Sequence, residues 1–257
     1  MTRRITAYLR TPSPDMASAC ELTFMDRAPI DMELAVRQHQ SYADALHHAG
    51  ADVIMFPALE GHPDCAFIED TLLCLPEIVI AMRLGVASRE AEGGATVGEL
   101  GLDRESASIE APGTLEGGDI LRVGKRLYVG LSSRSNRAGI DQLKALVGCF
   151  GYDVVAVPMT KALHLKTAVT CVAPGVIVGN RQWVDPSIFS PMQFVDIADT
   201  EPFAGNVLLV DRTAIMPIAH SRTAEIVANL VDAIVLVDVS EFAKAEAGVT
   251  CLSVVDQ

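Results

Sequence analysis

The sequence lacks the patterns that several protein classes require. Its six cysteines include no Cys-x-x-Cys pair, and the neighbouring histidines do not stand at zinc-ligand spacing, so we expect neither a disulfide framework nor a structural metal. No Gly-x-Gly-x-x-Gly follows a strand near the N-terminus, which argues against a doubly wound dinucleotide-binding sheet. Because no linker or low-complexity tract interrupts the chain, residues 1–257 are predicted to form a single domain.

Basic side chains are also scarce. The chain has 20 Lys and Arg against 33 Asp and Glu, a net charge of −13, which argues against nucleic acid or an anionic membrane as partner and is compatible with a small cationic substrate. The apolar run Ile5 to Leu9 is too short for the h-region of a signal peptide, so we expect a cytoplasmic location. A hydrophobic fraction of 50% suffices for a well-buried core.

Short runs rich in Val, Ile and Leu recur along the chain and predict strands. Segments with helical period lie between some of them, at residues 31–49, 136–149 and 221–231, with Asp31 as a predicted N-cap and Gly50 as a stop. Gly124-Lys125-Arg126 predicts a hairpin, while residues 90–94 and 186–191 are typical of surface loops. This rhythm of hairpin, helix and strand favours a repeated small α/β unit.

Cys251 lies six residues from the end of the chain, in a predicted terminal strand. A thiol attacks as a thiolate and therefore needs a lowered pKa or a partner for its proton. His164, in the segment Leu163-His164-Leu165-Lys166, is the candidate base. The alternative is that Cys251 packs as a small apolar group and that His164 is a buried histidine between two leucines.

The segment Gly113 to Asp119 places carboxylates around a glycine pair, directly before a predicted strand. Glycines there allow a close backbone approach, and Glu116 can accept a hydrogen bond from His164 and orient it. A Gly-rich turn with solvated acids is the competing interpretation.

Acids and arginines elsewhere suggest a binding site. If Glu69 and Asp70 turn inward, their carboxylates form a pocket for a planar cation, since carboxylates pair with guanidinium in a bidentate manner. Arg89 and Arg134 can each hold a substrate carboxylate by the same contact. All of these side chains could instead belong to the solvated surface of an acidic protein.

Taken together and in order, these segments resemble the dimethylarginine dimethylaminohydrolases of the guanidino-modifying pentein superfamily. The matching runs are Phe67-Ile68-Glu69-Asp70-Thr71, Ser88-Arg89, Leu115-Glu116-Gly117-Gly118-Asp119-Ile120, Gly130-Leu131-Ser132-x-Arg134-x-Asn136, Leu163-His164-Leu165-Lys166, Ser240-Glu241-Phe242 and Thr250-Cys251-Leu252. They span most of the chain, so their combination is far more specific than any single motif.

The resemblance implies an α/β fold, a five-fold pseudosymmetric α/β propeller of ββαβ modules. It implies hydrolysis of N-methylated arginines to citrulline and a methylamine, without metal or organic cofactor. Cys251 is then the nucleophile that adds to the guanidinium carbon, and His164 is the general acid and base. Glu116 orients the imidazole. Carboxylates beside His164 should raise its proton affinity, which suits an acid.

The resemblance also implies the substrate-binding residues. Asp64, Glu69 and Asp70 become the acids that bind the guanidinium, and Arg89 and Arg134 hold the α-carboxylate. Leu22 is placed on a loop that closes over the ligand, and Ala245 provides a backbone contact. Leu84, Val86 and Ala245 depart from the family pattern, which affects the loop and selectivity more than the chemistry.

Two alternative functions remain at this point. Arginine deimination or amidino transfer would use the same thiol with a different leaving group or acceptor. An idle guanidino-binding protein would have lost the nucleophile or the base, and this chain has both. The partner is therefore a small guanidino compound, and the resemblance allows a homodimer without requiring one.

Overall fold

The computed structural model of the chain describes residues 4–159 and 161–257. Within them the strands form five three-stranded sheets with one common order. In each sheet the middle strand pairs antiparallel on one side and parallel on the other. The strands are β1 Thr6–Arg10, β2 Asp52–Phe56, β3 Leu72–Cys74, β4 Ile78–Ala81, β5 Glu105–Ser108, β6 Ile120–Val123, β7 Arg126–Leu131, β8 Asp153–Pro158, β9 Val169–Ala173, β10 Val176–Gly179, β11 Gln193–Asp196, β12 Leu208–Val210, β13 Thr213–Pro217, β14 Ala233–Val237 and β15 Val254–Asp256.

Parallel neighbours need a crossover connection, and helices provide it in most sheets. The helices are α1 Met16–Ala19, α2 Met32–His48, α3 Glu92–Leu100, α4 Arg137–Gly148, α5 Leu165–Ala168, α6 Ser221–Val227 and α7 Ser240–Ala243. Helices α2, α3, α4 and α6 connect the parallel strands of four sheets, and the 3-10 turn Pro186–Phe189 does so in the fifth. Among the described residues, no helix has the length and apolar character needed to cross a bilayer.

Each sheet with its crossover is one ββαβ module, which confirms the predicted hairpin, helix and strand rhythm. We number the modules by their strands: module 1 is β15-β1-β2, module 2 is β3-β4-β5, module 3 is β6-β7-β8, module 4 is β9-β10-β11 and module 5 is β12-β13-β14. Module 1 takes one strand from each end of the chain, with Thr6 opposite Asp256 and Tyr8 opposite Val254.

Apolar side chains close these modules into a ring. Five clusters of buried residues each join two modules: 1 with 2, 2 with 3, 3 with 4, 4 with 5, and 5 with 1. The cluster between modules 5 and 1, for example, joins Leu9 of β1 to Ile215 of β13 and Leu46 of α2. Because the fifth contact returns to the first module, the chain forms a five-fold pseudosymmetric α/β propeller.

Local signals explain the helices that the sequence predicted. Asp31 Oδ1 accepts a hydrogen bond from Leu34 N at 3.0 Å at the start of α2, and Gly50 follows its end with a φ of 97°. Asn136 caps α4 by accepting from Gly139 N at 2.9 Å. Gly124, with a φ of 61°, lies in the predicted hairpin turn between β6 and β7.

Two predicted elements were wrong in detail. Residues 90–94, predicted as a surface loop, contain the start of α3, and Glu92 there is buried. Cys251 does not lie in the terminal strand. It lies in the 3-10 turn Thr250–Leu252, and β15 begins only at Val254.

Candidate active site

Short helical turns precede the first strand of four modules and meet at one end of the ring. The turns are Ile68–Thr71 before β3, Gly117–Asp119 before β6, α5 before β9 and Thr250–Leu252 before β15. First strands of neighbouring modules contact one another in three pairs: β15 with β3, β6 with β9, and β9 with β12. The turns also contact one another: Ile68–Thr71 contacts both Gly117–Asp119 and Thr250–Leu252, and α5 contacts Gly117–Asp119. Pseudosymmetry therefore brings together residues that are far apart in sequence.

A buried cavity lies where these turns meet. Seven of the predicted site residues line it: Asp64, Asp70, Arg89, Arg134, His164, Ala245 and Cys251. Glu21, Phe67 and Leu163, which the sequence had not singled out for this role, complete the lining. The cavity thus holds a thiol, an imidazole, three carboxylates and two guanidinium groups, which suits a ligand with both positive and negative ends.

His164 and Glu116 form a buried pair behind the cavity. His164 Nε2 lies 2.6 Å from Glu116 Oε2, and Glu116 Oε1 accepts from Gly85 N at 2.8 Å. Burial by itself would lower the pKa of His164, but the charge of Asp70 and the hydrogen bond with Glu116 outweigh it and raise the pKa to about 9. The pKa of Glu116 is lowered despite its burial, chiefly by His164. The pair is thus an imidazolium and a carboxylate at neutral pH.

Cys251 is a thiol at rest. Burial raises its pKa to about 12, with further contributions from the charges of Glu69 and Asp70, although Gly248 N points to the sulfur at 3.4 Å. Its side chain lines the cavity together with His164. A cation in the cavity would oppose the charges of the two acids and favour the thiolate.

Asp70 connects the imidazole to the guanidinium side of the cavity. Its Oδ1 lies 3.7 Å from His164 Nδ1, its Oδ2 lies 2.8 Å from Arg89 Nη1, and Gly118 N donates to Oδ1 at 3.3 Å. A Cβ at Gly118 would lie 2.7 Å from both Asp70 Oδ1 and His164 Nδ1. Any larger residue at position 118 would therefore clash with Asp70 and His164, which explains the glycine that was predicted to allow a close backbone approach.

Arg89 is almost saturated by protein groups. Its Nη2 lies 2.9 Å from Glu92 Oε2, its Nε lies 3.2 Å from the same oxygen, and its Nη2 also donates to Phe67 O at 3.1 Å. Sequence reasoning missed Glu92, although its position three residues after Arg89 was the available signal. Arg89 is therefore held in a fixed position at the cavity wall, where Asp70 and Glu92 balance its charge.

Asp64 and Arg134 both form hydrogen bonds with residues 21–23, which border the cavity. The two oxygens of Asp64 accept from Glu21 N at 3.2 and 3.1 Å, and burial raises its pKa to about 6 in spite of the charge of Arg89. Arg134 donates from Nη2 to Thr23 Oγ1 at 2.9 Å. Its Nη1 lies 3.8 Å from Glu116 Oε1, so it also faces the imidazole pair.

Asp119 supports His164 from behind, a role that the sequence did not reveal. It accepts from Ser132 Oγ and Ser135 Oγ at 2.6 Å each and from Leu165 N at 2.9 Å. Burial raises its pKa to about 6, although the charge of His164 and these hydrogen bonds oppose the shift. By binding Leu165 N, Asp119 fixes the turn that presents His164.

The structure places Glu69 and Leu22 outside the cavity. Glu69 Oε1 accepts a hydrogen bond from Lys166 Nζ at 2.5 Å, and both side chains line a different, wider cavity. Adjacent residues of a tight turn point in different directions, which separates Glu69 from Asp70. Leu22 is partly buried against the cluster between modules 5 and 1. A direct contact of either with substrate stays a prediction.

Asp70, Glu116 and His164 also present one donor atom each within 4.8 Å of one another, a set that suits a divalent cation. Each already has a partner in the protein, and Arg89 adds positive charge beside Asp70. A metal ion could bind His164 only after displacing its proton, since ligating imidazole is neutral.

Comparisons with known proteins agree with this geometry. A family model for eukaryotic N,N dimethylarginine dimethylhydrolase matches residues 19–186. The N(G),N(G)-dimethylarginine dimethylaminohydrolase of Streptomyces coelicolor is 38% identical over 253 residues, covering 96% of this chain and 95% of that protein. The enzyme of the same description from Pseudomonas aeruginosa is 33% identical, covering 95% and 96%.

Solved structures show the same likeness in three dimensions. A cysteine-to-serine mutant of DDAH from Pseudomonas aeruginosa, complexed with citrulline, superposes with a TM-score of 0.92 at 31% identity, covering 98% of this chain and 99% of that one. The N-terminal domain of ArgZ, a cyanobacterial arginine dihydrolase, superposes with a TM-score of 0.85 at 20% identity, covering 97% of each chain. The second likeness shows a common fold.

Proposed function

The chain belongs to the dimethylarginine dimethylaminohydrolase family and is a hydrolase of carbon–nitrogen bonds, and from this premise we propose that it hydrolyses N-methylated arginines to citrulline. The substrates are asymmetric dimethylarginine and monomethylarginine, and the second product is dimethylamine or methylamine. The observation that carries the proposal is the buried cavity in which Cys251 and His164 meet three carboxylates and two arginines.

Charge supports a guanidino substrate. The carboxylates of Asp64 and Asp70 face the cavity, and neither carboxylate is exposed to water that could screen it. A planar guanidinium can pair with them through parallel N–H···O bonds. The α-carboxylate of the substrate then lies toward Arg134, while Arg89, whose N–H groups are bound by protein acceptors, stands at the cavity wall, and the backbone of Ala245 contributes a polar contact.

The first chemical step transfers the amidino carbon to sulfur. The substrate's cation lowers the pKa of Cys251, the thiol proton passes to water, and the resulting thiolate attacks the guanidinium carbon. His164, an imidazolium at rest because of Asp70 and Glu116, donates its proton to the departing amine nitrogen as the C–N bond breaks. The product of this step is a covalent thiouronium on Cys251.

The second step reverses the proton flow. His164, now neutral, takes a proton from water while the water oxygen attacks the thiouronium carbon. The C–S bond breaks, the second proton of the attacking water passes to the sulfur, and citrulline leaves. Glu116 keeps Nε2 of the imidazole bound throughout, so Nδ1, on the side of Asp70, is the nitrogen that exchanges protons with the cavity.

A product assay tests the proposal. Asymmetric dimethylarginine, monomethylarginine and arginine are incubated separately with the protein, and citrulline, methylamines and ammonia are measured. We expect citrulline and dimethylamine in equal amounts from the first substrate. Ammonia from arginine as the dominant product would indicate deimination instead, and a guanidino product formed only with an added amine would indicate amidino transfer.

A further inference from the structure

The segment formed by residues 21–25 borders the cavity, and a single carboxylate binds most of its backbone. Glu246 Oε2 accepts from Thr23 N at 3.0 Å, and Glu246 Oε1 accepts from Phe24 N at 2.5 Å and from Met25 N at 2.6 Å. Consecutive backbone N–H groups that converge on one point form an anion-binding concavity. Glu246 fills this concavity from a position 223 residues away from Thr23.

The same segment also binds two residues of the cavity wall. Glu21 N donates to Asp64, and Thr23 Oγ1 accepts from Arg134 Nη2 at 2.9 Å. Asp64 and Arg134 are the residues to which our proposed function assigns the two charged ends of the substrate. The position of the segment is therefore coupled to the position of the groups that bind substrate.

Within the segment, Leu22 packs against the cluster between modules 5 and 1, whereas residues 23–25 have little apolar packing. The side chains of Phe24 and Met25 are 56% and 45% exposed, respectively. They border an open apolar cavity beside the site, together with the exposed Phe203 and Ile218. Because exposed side chains retain most of their contact with water, Phe24 and Met25 are attached through their backbone hydrogen bonds to Glu246 more than through apolar packing.

The backbone of Glu246 is unusual as well. Its φ is +60°, in the left-handed region that non-glycine residues seldom occupy. It follows Ala245, which lines the cavity, and precedes Gly248, whose N–H points to the sulfur of Cys251. Such a conformation persists where surrounding contacts over-determine it, and the three bonds to the segment are contacts of that kind.

We propose that Glu246 is a positioning residue that holds residues 21–25 against the cavity and so determines how firmly the substrate is retained. The inference rests on the proposed function, because it concerns the same site. It assigns to Glu246 no contact with the reacting atoms. Its loss should therefore raise KM more than it lowers kcat.

The informative variant is Glu246→Gly, which removes the carboxylate and also relieves the positive φ. We expect a rise in KM for asymmetric dimethylarginine of about tenfold, a change in kcat of less than about threefold, and a Tm no lower than that of the original chain. Trypsin should cleave after the exposed Arg27 about tenfold faster, because the segment beside it is released. For Glu246→Gln, which keeps one acceptor oxygen, KM and the rate of cleavage at Arg27 should lie between those of the original chain and those of Glu246→Gly.

Asp211→Gly is the matched control. Asp211 also has a positive φ, of 51°, and is exposed in the turn between β12 and β13, away from the cavity. It should leave KM and cleavage at Arg27 unchanged. An unaltered KM and cleavage rate in Glu246→Gly would overturn the proposal, as would faster cleavage at all sites, which would show general destabilisation. If the original chain releases no citrulline, the proposed function fails, while cleavage at Arg27 still decides the role of Glu246.

Discussion

At His164, burial and charge act on the same proton in opposite directions. Desolvation favours the neutral ring, whereas Asp70, Glu116 and Asp119 favour the imidazolium and prevail. At Cys251 the charges of Glu69 and Asp70 act in the same sense as burial and keep the thiol protonated. Under the proposed mechanism, the free site therefore has a protonated acid in His164 and an inactive nucleophile in Cys251, and the guanidinium of the substrate is expected to supply the positive charge that favours the thiolate. A buried thiol with a raised pKa reacts slowly, because the thiolate is the nucleophile.

The first prediction at this scale concerns the two reacting groups. Cys251→Ser and His164→Gly should each reduce citrulline release by at least about 10³-fold, since one removes the nucleophile and the other the proton donor. Both variants should remain folded, with circular dichroism and Tm as the checks. Cys149→Ser, at an exposed cysteine on the end of α4, serves as the control with full activity. Full activity in Cys251→Ser would exclude the covalent mechanism.

The second prediction concerns the proton of His164. Its pKa in the folded chain, about 9, lies above the value of 6.5 for an unperturbed histidine. The imidazolium therefore stabilises the fold fully below pH 6.5, and this contribution is lost as the pH rises through 9. Glu116→Gln removes one of the groups that raise the pKa, so NMR titration should show a lower pKa for His164.

The consequence for stability can be measured with the same variant. The difference in the free energy of unfolding between the original chain and Glu116→Gln should be largest near pH 6 and should shrink toward pH 10. Urea unfolding at several pH values provides the data. A difference that stays constant with pH would mean that Glu116 does not act through the charge of His164.

At the scale of elements, the helices with clear end signals were predicted and α3 was not. Helices α2 and α4 have capping side chains and apolar stripes, whereas α3 contains three glycines in nine residues. Gly93 is needed there because a Cβ would lie 2.1 Å from Met82 O. Tertiary contact thus imposes a residue that lowers helix propensity, and no local pattern reveals such a contact.

The turns show a similar limit for the site. The resemblance predicted which acids matter, but not that Asp70 faces the cavity while its neighbour Glu69 faces Lys166. Which of two adjacent side chains points inward depends on how the turn packs against the other modules. Asp119 was missed for the same reason, since its partners Ser132 and Leu165 come from other segments.

The prediction for α3 concerns Glu92, which starts this helix and pairs with the buried Arg89. Glu92→Gln should lower the free energy of unfolding by about 3 kcal/mol, because it leaves a buried guanidinium with one ionic partner fewer. Glu90→Gln is the matched control, since Glu90 pairs with Arg83 near the surface with 48% of its side chain exposed. That change should cost less than about 1 kcal/mol. If both variants lowered the free energy of unfolding equally in urea, burial would not make the pair of Glu92 and Arg89 more important for stability than the pair of Glu90 and Arg83.

Across the whole molecule, the five modules share one pattern of strand pairing but differ in their side chains. Their strands pair in one pattern, yet the clusters between them differ in size and residue type, from Tyr128 and Phe189 in one to Met216 and Val227 in another. The five repeats therefore could not be aligned within the single sequence, and the number of modules was predicted only through the resemblance. Because residues from several modules line one cavity, the site exists only when the ring is closed.

Closure by β15 leads to the last prediction. Since β15 pairs with β1, Thr6 lies opposite Asp256, and a short flexible linker can join the two ends of the chain. A circular permutant that starts at Thr200, in the exposed part of the connection between β11 and β12, should then fold and release citrulline at a rate within about tenfold of the original chain. Opening the chain within β13, between Ala214 and Ile215, should abolish folding, because these residues are buried and hydrogen-bonded in a central strand. Activity and Tm are measured for both permutants. If the first permutant keeps its fold but is inactive, the position of the original chain ends, and not closure of the ring alone, determines where Cys251 lies.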